Sequence, residues 1–334
     1  MTMKTIITAA AFAGAACAMS GTAKAAECGD VSIAEMNWAS AGVAANIDKI
    51  ILDKGYGCNV TLVTGDTIPT FTSMNEKAEP DVAPEMWVNS VRIPLAEAAK
   101  EGRLIQLSQI LSDGGVEGWW VPKYFADAHP DIKTVKDALN HPELFPAPED
   151  PSRGAVFNCP SGWGCQINNV NLFKAFKGEE HGFDLVDTGS AAGLDGSIAN
   201  AFENQKPWFG YYWAPTAILG KYDMVRLSFD VDFDKQAWDS CITVVDCADP
   251  QPNTYPVSDV YTLVTKNFAD KAGVAMEYMK KRKWANETVN KVLAWQADKQ
   301  ASNEDTAYYF LETYPDVWKA WVEPDVAEKV KAAL

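Results

Sequence analysis

Six tryptophans stand beside turn-forming residues rather than inside apolar runs. They are Trp38 in "AEMNWASAG", Trp87 in "APEMWVN", Trp119 and Trp120 in "GVEGWWVPKY", Trp163 in "PSGWGC" and Trp213 in "WFGYYWAPT". Tryptophans at strand ends point to a binding site rather than to packing alone. An indole face is electron-rich and attracts a diffuse cation that sheds its water cheaply, as a quaternary ammonium does. At about 1–2 kcal/mol per desolvated contact, four such walls supply about 4–8 kcal/mol gross. Micromolar affinity takes about 8 kcal/mol, so a polar anchor and a preformed cage are needed as well. Tryptophan also stacks on sugar rings, but sugar sites add many Asp, Asn and Arg side chains, and these segments carry few. Trp284, Trp295, Trp318 and Trp321 lie in helical patterns and read as packing residues.

The stretch "VFNCPSGWGCQINN" puts Cys159 and Cys165 around Pro160, Gly162, Trp163 and Gly164. A disulfide across so short a loop would hold Trp163 in a fixed direction, and a rigid wall loses less affinity to ordering. The other cysteines fit an oxidising compartment. Setting aside Cys17, the chain carries Cys28, Cys58, Cys159, Cys165, Cys241 and Cys247. Several pairings are open to six cysteines, and chain order suggests 28–58, 159–165 and 241–247. No C-x₂-C pair exists and the histidines are not interleaved with the cysteines, which disfavours zinc. Lys4, the apolar run Ile6 to Met19 and Ala23-Lys24-Ala25 fit a cleaved secretory signal over residues 1–25. The remainder reads as soluble and exported. With a formal net charge of −16, it is a poor partner for nucleic acid or anionic membranes.

The elements that must carry these residues alternate between short apolar runs and longer periodic segments, an α/β pattern. Val31 to Ala34, Val60 to Val63 and Asp81 to Val88 read as strands, and Ser40 to Lys54 and Ile93 to Glu101 as helices. Ala269 to Gln300 reads as helical, followed by terminal helices interrupted at Pro315 and Pro324. The stretches 114–151 and 229–256 read as long and irregular, which suggests hinge or binding segments. Lys280-Lys281-Arg282-Lys283 reads as a solvated helix face.

Enzyme signatures for nucleotide, zinc-peptidase and serine-hydrolase chemistry do not occur, and three histidines leave little room for a triad. No catalytic residue is assigned, and no cofactor is required. Asp230, Asp232 and Asp234 alternate in "FDVDFDKQAWDSC" with Asp239 and Asp246 beyond, and could form a structural calcium site. The spacing begins like an EF-hand loop but lacks its glycine and terminal glutamate, so a solvated acidic loop is the competing reading.

At the tryptophan segments the chain resembles the periplasmic substrate-binding proteins of ABC transporters for glycine betaine, choline and related methylated amines. "NCPSGWGC" is similar to that family's Cys-x-Pro-Gly-Trp-Gly-Cys loop, and "KPWFGYYWAPT" to its second aromatic segment. "APEMWVN" falls at its first cage tryptophan, and "YPVSDVYTLVTKNFA" resembles its return strand. The likeness runs over about residues 28 to 320. It implies a two-lobed α/β fold of the periplasmic-binding-protein type II class with the ligand in the cleft. Lobe one would be residues 26–120 plus 226–334, and lobe two residues 121–225. It implies Trp87, Trp163 and Trp213 as the cage, Trp38 as a fourth wall and Trp119 as a fifth, preferred over Trp120. The implied partners are a small methylated amine and a transporter permease, with the protein a monomer.

Betaine binders of the enterobacterial type carry a histidine four residues after the first cage tryptophan, and here that place holds Val91. This favours a ligand with a smaller polar end, trimethylamine N-oxide first, then choline or glycine betaine. The chain also looks similar to the trimethylamine N-oxide binders of marine bacteria. Glu117 is the expected partner for the ligand's oxygen, with Glu85 second because strand alternation aims it like Trp87. A carboxyl among indoles has reason for a raised pKa and could donate to an N-oxide. A secreted carbohydrate-binding protein is the alternative reading and an exported hydrolase the third.

Overall fold

A computed structural model describes residues 28–334. The expected signal segment lies outside the described residues. No helix among them is long and apolar enough to cross a membrane.

Ten strands among the described residues form two five-stranded sheets. The first sheet has β1 (Asp30–Met36) beside β2 (Asn59–Gly65) and β3 (Val82–Trp87), both parallel to it. The order is β2-β1-β3-β10-β4, with β4 (Leu104–Gln109) and β10 (Val260–Thr265). β10 runs antiparallel to both its neighbours. The second sheet uses β5 (Val116–Pro122), β6 (Gly154–Phe157), β7 (Phe183–Val186), β8 (Gly210–Ala214) and β9 (Met224–Arg226). Its order is β7-β6-β8-β5-β9. Here β6 is parallel to both its neighbours, β7 and β8, and β5, the strand that enters from the other sheet, is antiparallel to β8 and β9.

The inner strands β1 and β3 are largely buried, as strands covered by helices are. β1 buries Val31, Ile33, Ala34 and Met36, and helix α1 (Ala39–Ile50) covers it with a small-residue face of Ala41, Ala44 and Ala45. Helices α2 (Thr67–Lys77) and α3 (Arg92–Lys100) follow β2 and β3. Each strand-to-helix turn in this arrangement faces the cleft edge of its sheet, where ligands of open α/β sheets bind.

The chain leaves the first sheet after β4 and enters the second with β5 at residue 116, close to the lobe boundary expected at 120. It leaves the second sheet after β9, which ends at Arg226, and reaches β10 at residue 260 through a long segment. The two crossings touch: Gly115 and Ser258 exchange backbone hydrogen bonds of 2.7 and 2.9 Å. The segment expected to be irregular after residue 114 therefore opens with β5. Glycines and Pro122 interrupt its apolar pattern, so tertiary pairing rather than local propensity decides it. The second irregular stretch holds only short helices at Lys235–Ala237 and Trp238–Ile242. Asn171 fixes it by donating to the carbonyls of Cys241, Ile242 and Val244.

Disulfides join Cys28 to Cys58, Cys159 to Cys165 and Cys241 to Cys247. The basic run departs from expectation at one residue. Lys280, Lys281 and Lys283 are exposed, but Arg282 is 2% exposed and pairs with the buried Asp48 at 2.8 Å. Burial raises the Asp48 pKa to about 6 against the pull of Arg282 and Tyr278.

Candidate ligand-binding site

The aromatic wall begins at the C-terminal ends of the first sheet's strands. β1 stops at Met36, and Trp38 caps α1 with extended backbone. Trp87 is the last residue of β3. From the second lobe, the Cys159–Cys165 loop carries Trp163 into the cleft at the start of the helix Gly164–Ala175. Gly162 in that loop has φ +90°, a conformation that side chains rarely adopt. β8 supplies Tyr211 and Trp213, two residues apart and so on one face.

These side chains line one cavity with Thr67, Ser90, Glu117, Gly164 and Cys165. It encloses about 370 Å³ with its mouth included, at the small end for ligand pockets and suited to a compact molecule. Trp38 and Trp163 meet at 5.3 Å with planes 72° apart, and Trp163 and Trp213 at 5.0 Å and 84°. The walls stand nearly perpendicular, as the sides of a box do. Trp38, Trp163 and Trp213 are each no more than 6% exposed, and Trp87 is half-buried.

The indole N–H groups of Trp38, Trp87 and Trp163 are tied down from behind. Trp163 Nε1 donates to Asn37 Oδ1 at 2.6 Å, across the cleft. Trp38 Nε1 and Trp87 Nε1 both donate to Glu85 Oε1, at 2.7 and 3.0 Å. Glu85 is fully buried and does not line the cavity, so it stands behind the walls and not against a ligand, contrary to its rank as second polar partner.

Glu117, on β5 directly opposite Trp213, does line the cavity. Its Oε1 accepts from the Tyr211 hydroxyl at 2.8 Å, and its Oε2 accepts a short hydrogen bond from the Ser258 hydroxyl. Burial pushes its carboxyl above the usual range, and the Ser258 and Tyr211 hydroxyls draw it part of the way back. One end of the cavity is thus a buried acid. Another side presents Gly164 and Cys165, the first residues of a helix, whose positive dipole end attracts negative charge.

Trp119 is not a wall. It shares the face of β5 with Glu117 but lies one pleat deeper, opposite Tyr211. There it is fully buried against Phe209 and Phe229, with its N–H given to Asn169 Oδ1 at 2.8 Å. Trp120 points to the other face and donates to the Tyr212 carbonyl. Neither residue borders the cavity. Val91, in place of a histidine, is 2% exposed and packs in the core.

The calcium expectation lacks a cluster to rest on. Asp230, Asp232 and Asp234 are exposed, and among the described residues no group of three or more His, Cys, Asp or Glu could hold a metal ion. Asp234 instead caps a helical turn by accepting from the Ala237 N–H at 3.0 Å.

Tyr211, Thr67, Ser90 and Asn37 were not singled out in the sequence. Tyr211 was within reach, since it stands two residues before Trp213 on a strand. Thr67, Ser90 and Asn37 carry no local signal, because they are recruited by the meeting of lobes.

Residues 29–313 match the family described as the substrate binding domain of ABC-type glycine betaine transport systems. Among solved structures, a glycine betaine/L-proline-binding protein from Borrelia burgdorferi is similar at 16% identity. That alignment covers 90% of this chain and 99% of the other, with a TM-score of 0.71. An ABC-transporter choline-binding protein in complex with choline is similar at 18% identity, with coverage of 92% and 98% and a TM-score of 0.71. Lactococcal OpuAC, closed on glycine betaine, is similar at 16% identity, with coverage of 88% and 99% and a TM-score of 0.67. At these identities the likeness speaks for the fold, the two-lobed type II periplasmic-binding-protein architecture.

Proposed function

The chain belongs to the family of substrate-binding domains of ABC-type glycine betaine transport systems, and from that premise we propose that it captures a trimethylammonium-type osmolyte and delivers it to an inner-membrane permease without catalysis. Trimethylamine N-oxide ranks first as ligand, choline and glycine betaine next. The protein acts as an exported monomer in the periplasm.

The observation that carries this reading is the box of near-perpendicular indoles with a buried acid in its wall. A trimethylammonium group presents methyls in several directions, and each can meet a different ring face. A pyranose needs one flat platform or two parallel ones, which neighbouring planes at 72° and 84° do not offer. The ranking rests on Glu117 and Val91. A betaine carboxylate would share the cavity with a second carboxyl group and find no histidine. An N-oxide oxygen can accept from a protonated Glu117, and a choline hydroxyl can donate to an ionised one.

Intrinsic tryptophan fluorescence during titration with trimethylamine N-oxide, choline, glycine betaine and glucose tests the reading. Saturable changes are expected for the three amines in that order of affinity, and none for glucose. Saturation by glucose alone would return the chain to carbohydrate binding, and turnover of any ligand would make it an enzyme.

A further inference from the structure

Glu85 is buried behind the cage, yet it bonds to two of the walls. One oxygen, Oε1, accepts from Trp38 Nε1 at 2.7 Å, Trp87 Nε1 at 3.0 Å and Ser40 Oγ at 2.8 Å. The other, Oε2, is buried without a partner. Satisfying two indole N–H groups does not require a charge. Trp163 uses the amide oxygen of Asn37, Trp119 that of Asn169, and Trp120 a backbone carbonyl. An ionisable group fully removed from water is a costly choice where an amide would serve. Gly115 shows how closely Trp87 is held, since a Cβ there would lie 2.2 Å from the indole ring.

A carboxylate at the N–H edge of an indole does what a neutral acceptor does only weakly. It polarises the N–H bond and pushes electron density into the ring, which makes the face more negative. In a site with little water the charge is also felt directly, without the screening of bulk solvent. Arg282 lies behind this group, where its Nη2 donates to the Pro84 carbonyl at 3.2 Å and its charge favours ionised Glu85. Burial works the other way and raises the Glu85 pKa, and the donors from Trp38, Trp87 and Ser40 oppose it.

We propose that Glu85 is a positioning residue whose negative charge, delivered through the N–H groups of Trp38 and Trp87, biases the cage toward ligands with a net positive charge. The proposal rests on the cage reading above and names a determinant of specificity that touches no ligand. A full cation such as choline gains from that charge over its whole volume. Trimethylamine N-oxide, with its own negative oxygen, gains less.

Glu85→Gln keeps the reach and an acceptor oxygen and removes the charge. In the variant, the Kd for choline should rise about tenfold and that for trimethylamine N-oxide less than about threefold. Equal losses for both ligands would reduce Glu85 to a structural prop, and no loss for either would remove it altogether. The unsubstituted protein supplies a second measurement should the variant not fold. The indole N–H proton resonances of Trp38 and Trp87 should lie downfield of that of Trp119, whose acceptor is the neutral amide of Asn169; resonances at the same place would overturn the proposal. If the unsubstituted protein binds none of the amines, the functional reading falls on its own account, and the chemical shifts still decide whether Glu85 charges the indoles.

Discussion

Glu117 is a single residue on which ligand chemistry and pH meet. Its carboxyl is neutral below its pKa and anionic above, and burial moves that pKa upward. The neutral form donates a hydrogen bond and suits an N-oxide; the anion attracts a quaternary ammonium and accepts from a hydroxyl. Affinity for trimethylamine N-oxide should therefore fall as pH rises through the raised pKa, while affinity for choline should rise. The window lies above the ordinary carboxyl range. Glu117→Gln should flatten both profiles and weaken choline by about tenfold at neutral pH, the scale of a lost charged hydrogen bond. Parallel pH profiles for the two ligands in the unsubstituted protein would contradict this. Glu117 and the tryptophans at 38, 87, 163 and 213 were legible in the sequence because polar or aromatic residues beside turn formers are poor core candidates. Trp119 misled because sequence alternation reports a face and not a depth. Tyr211 hid as an apparent core aromatic until its hydroxyl met Glu117.

The elements bring the walls to their places, and one close contact between the lobes is made by a glycine. Gly164 opens the helix Gly164–Ala175 and meets Ser90 of the first lobe so closely that a Cβ would lie 2.3 Å from Ser90 Oγ and 2.4 Å from its Cβ. Rotating the serine does not relieve the second clash, so the lobes themselves would have to part. Alanine at a helix start is otherwise favourable relative to glycine. Gly164→Ala should then leave thermal stability of the ligand-free protein unchanged or slightly higher, while weakening all three amines by about tenfold or more. A variant that binds as tightly as its parent would show that Ser90 can yield. This contact was invisible in the sequence, where Gly164 read as part of a stapled turn with backbone donors for a ligand carboxylate. Strands β1, β2 and β3 were legible because each is a short run rich in β-branched and apolar residues between turn signals. β5 was not, since its pattern is broken by Gly118 and Pro122 and is restored only by pairing with β8 and β9. Arg282 was misread for a related reason: a basic run looks solvated until a buried partner such as Asp48 is known.

At the scale of the whole molecule, the cavity exists only where two sheets approach, and a small set of hydrogen bonds spans the approach. Trp163 donates to Asn37, the Ile68 N–H donates to the Gly162 carbonyl at 3.1 Å, and Asn168 donates to Ser90 at 3.1 Å. On the far side Trp238 donates to the Asn89 carbonyl at 3.2 Å. The crossings that meet at Gly115 and Ser258 are the natural axis for opening, because they alone carry the chain between sheets. Ligand affinity then contains a closure term that is the same for every ligand, beside the chemistry of the cage itself. Asn37 separates the two. It is exposed and lies outside the cavity, so its loss leaves the walls' composition intact while removing the acceptor for Trp163. Asn37→Ala should weaken trimethylamine N-oxide, choline and glycine betaine by a common factor of about five to ten, the scale of one net hydrogen bond. The loss should sit mainly in faster dissociation, and small-angle scattering should find the ligand-bound variant less compact than its bound parent. Glu85→Gln and Glu117→Gln, by contrast, should change the ratios between ligands. Should Asn37→Ala alter those ratios while sparing the dissociation rates, the bond would belong to the cage and not to closure.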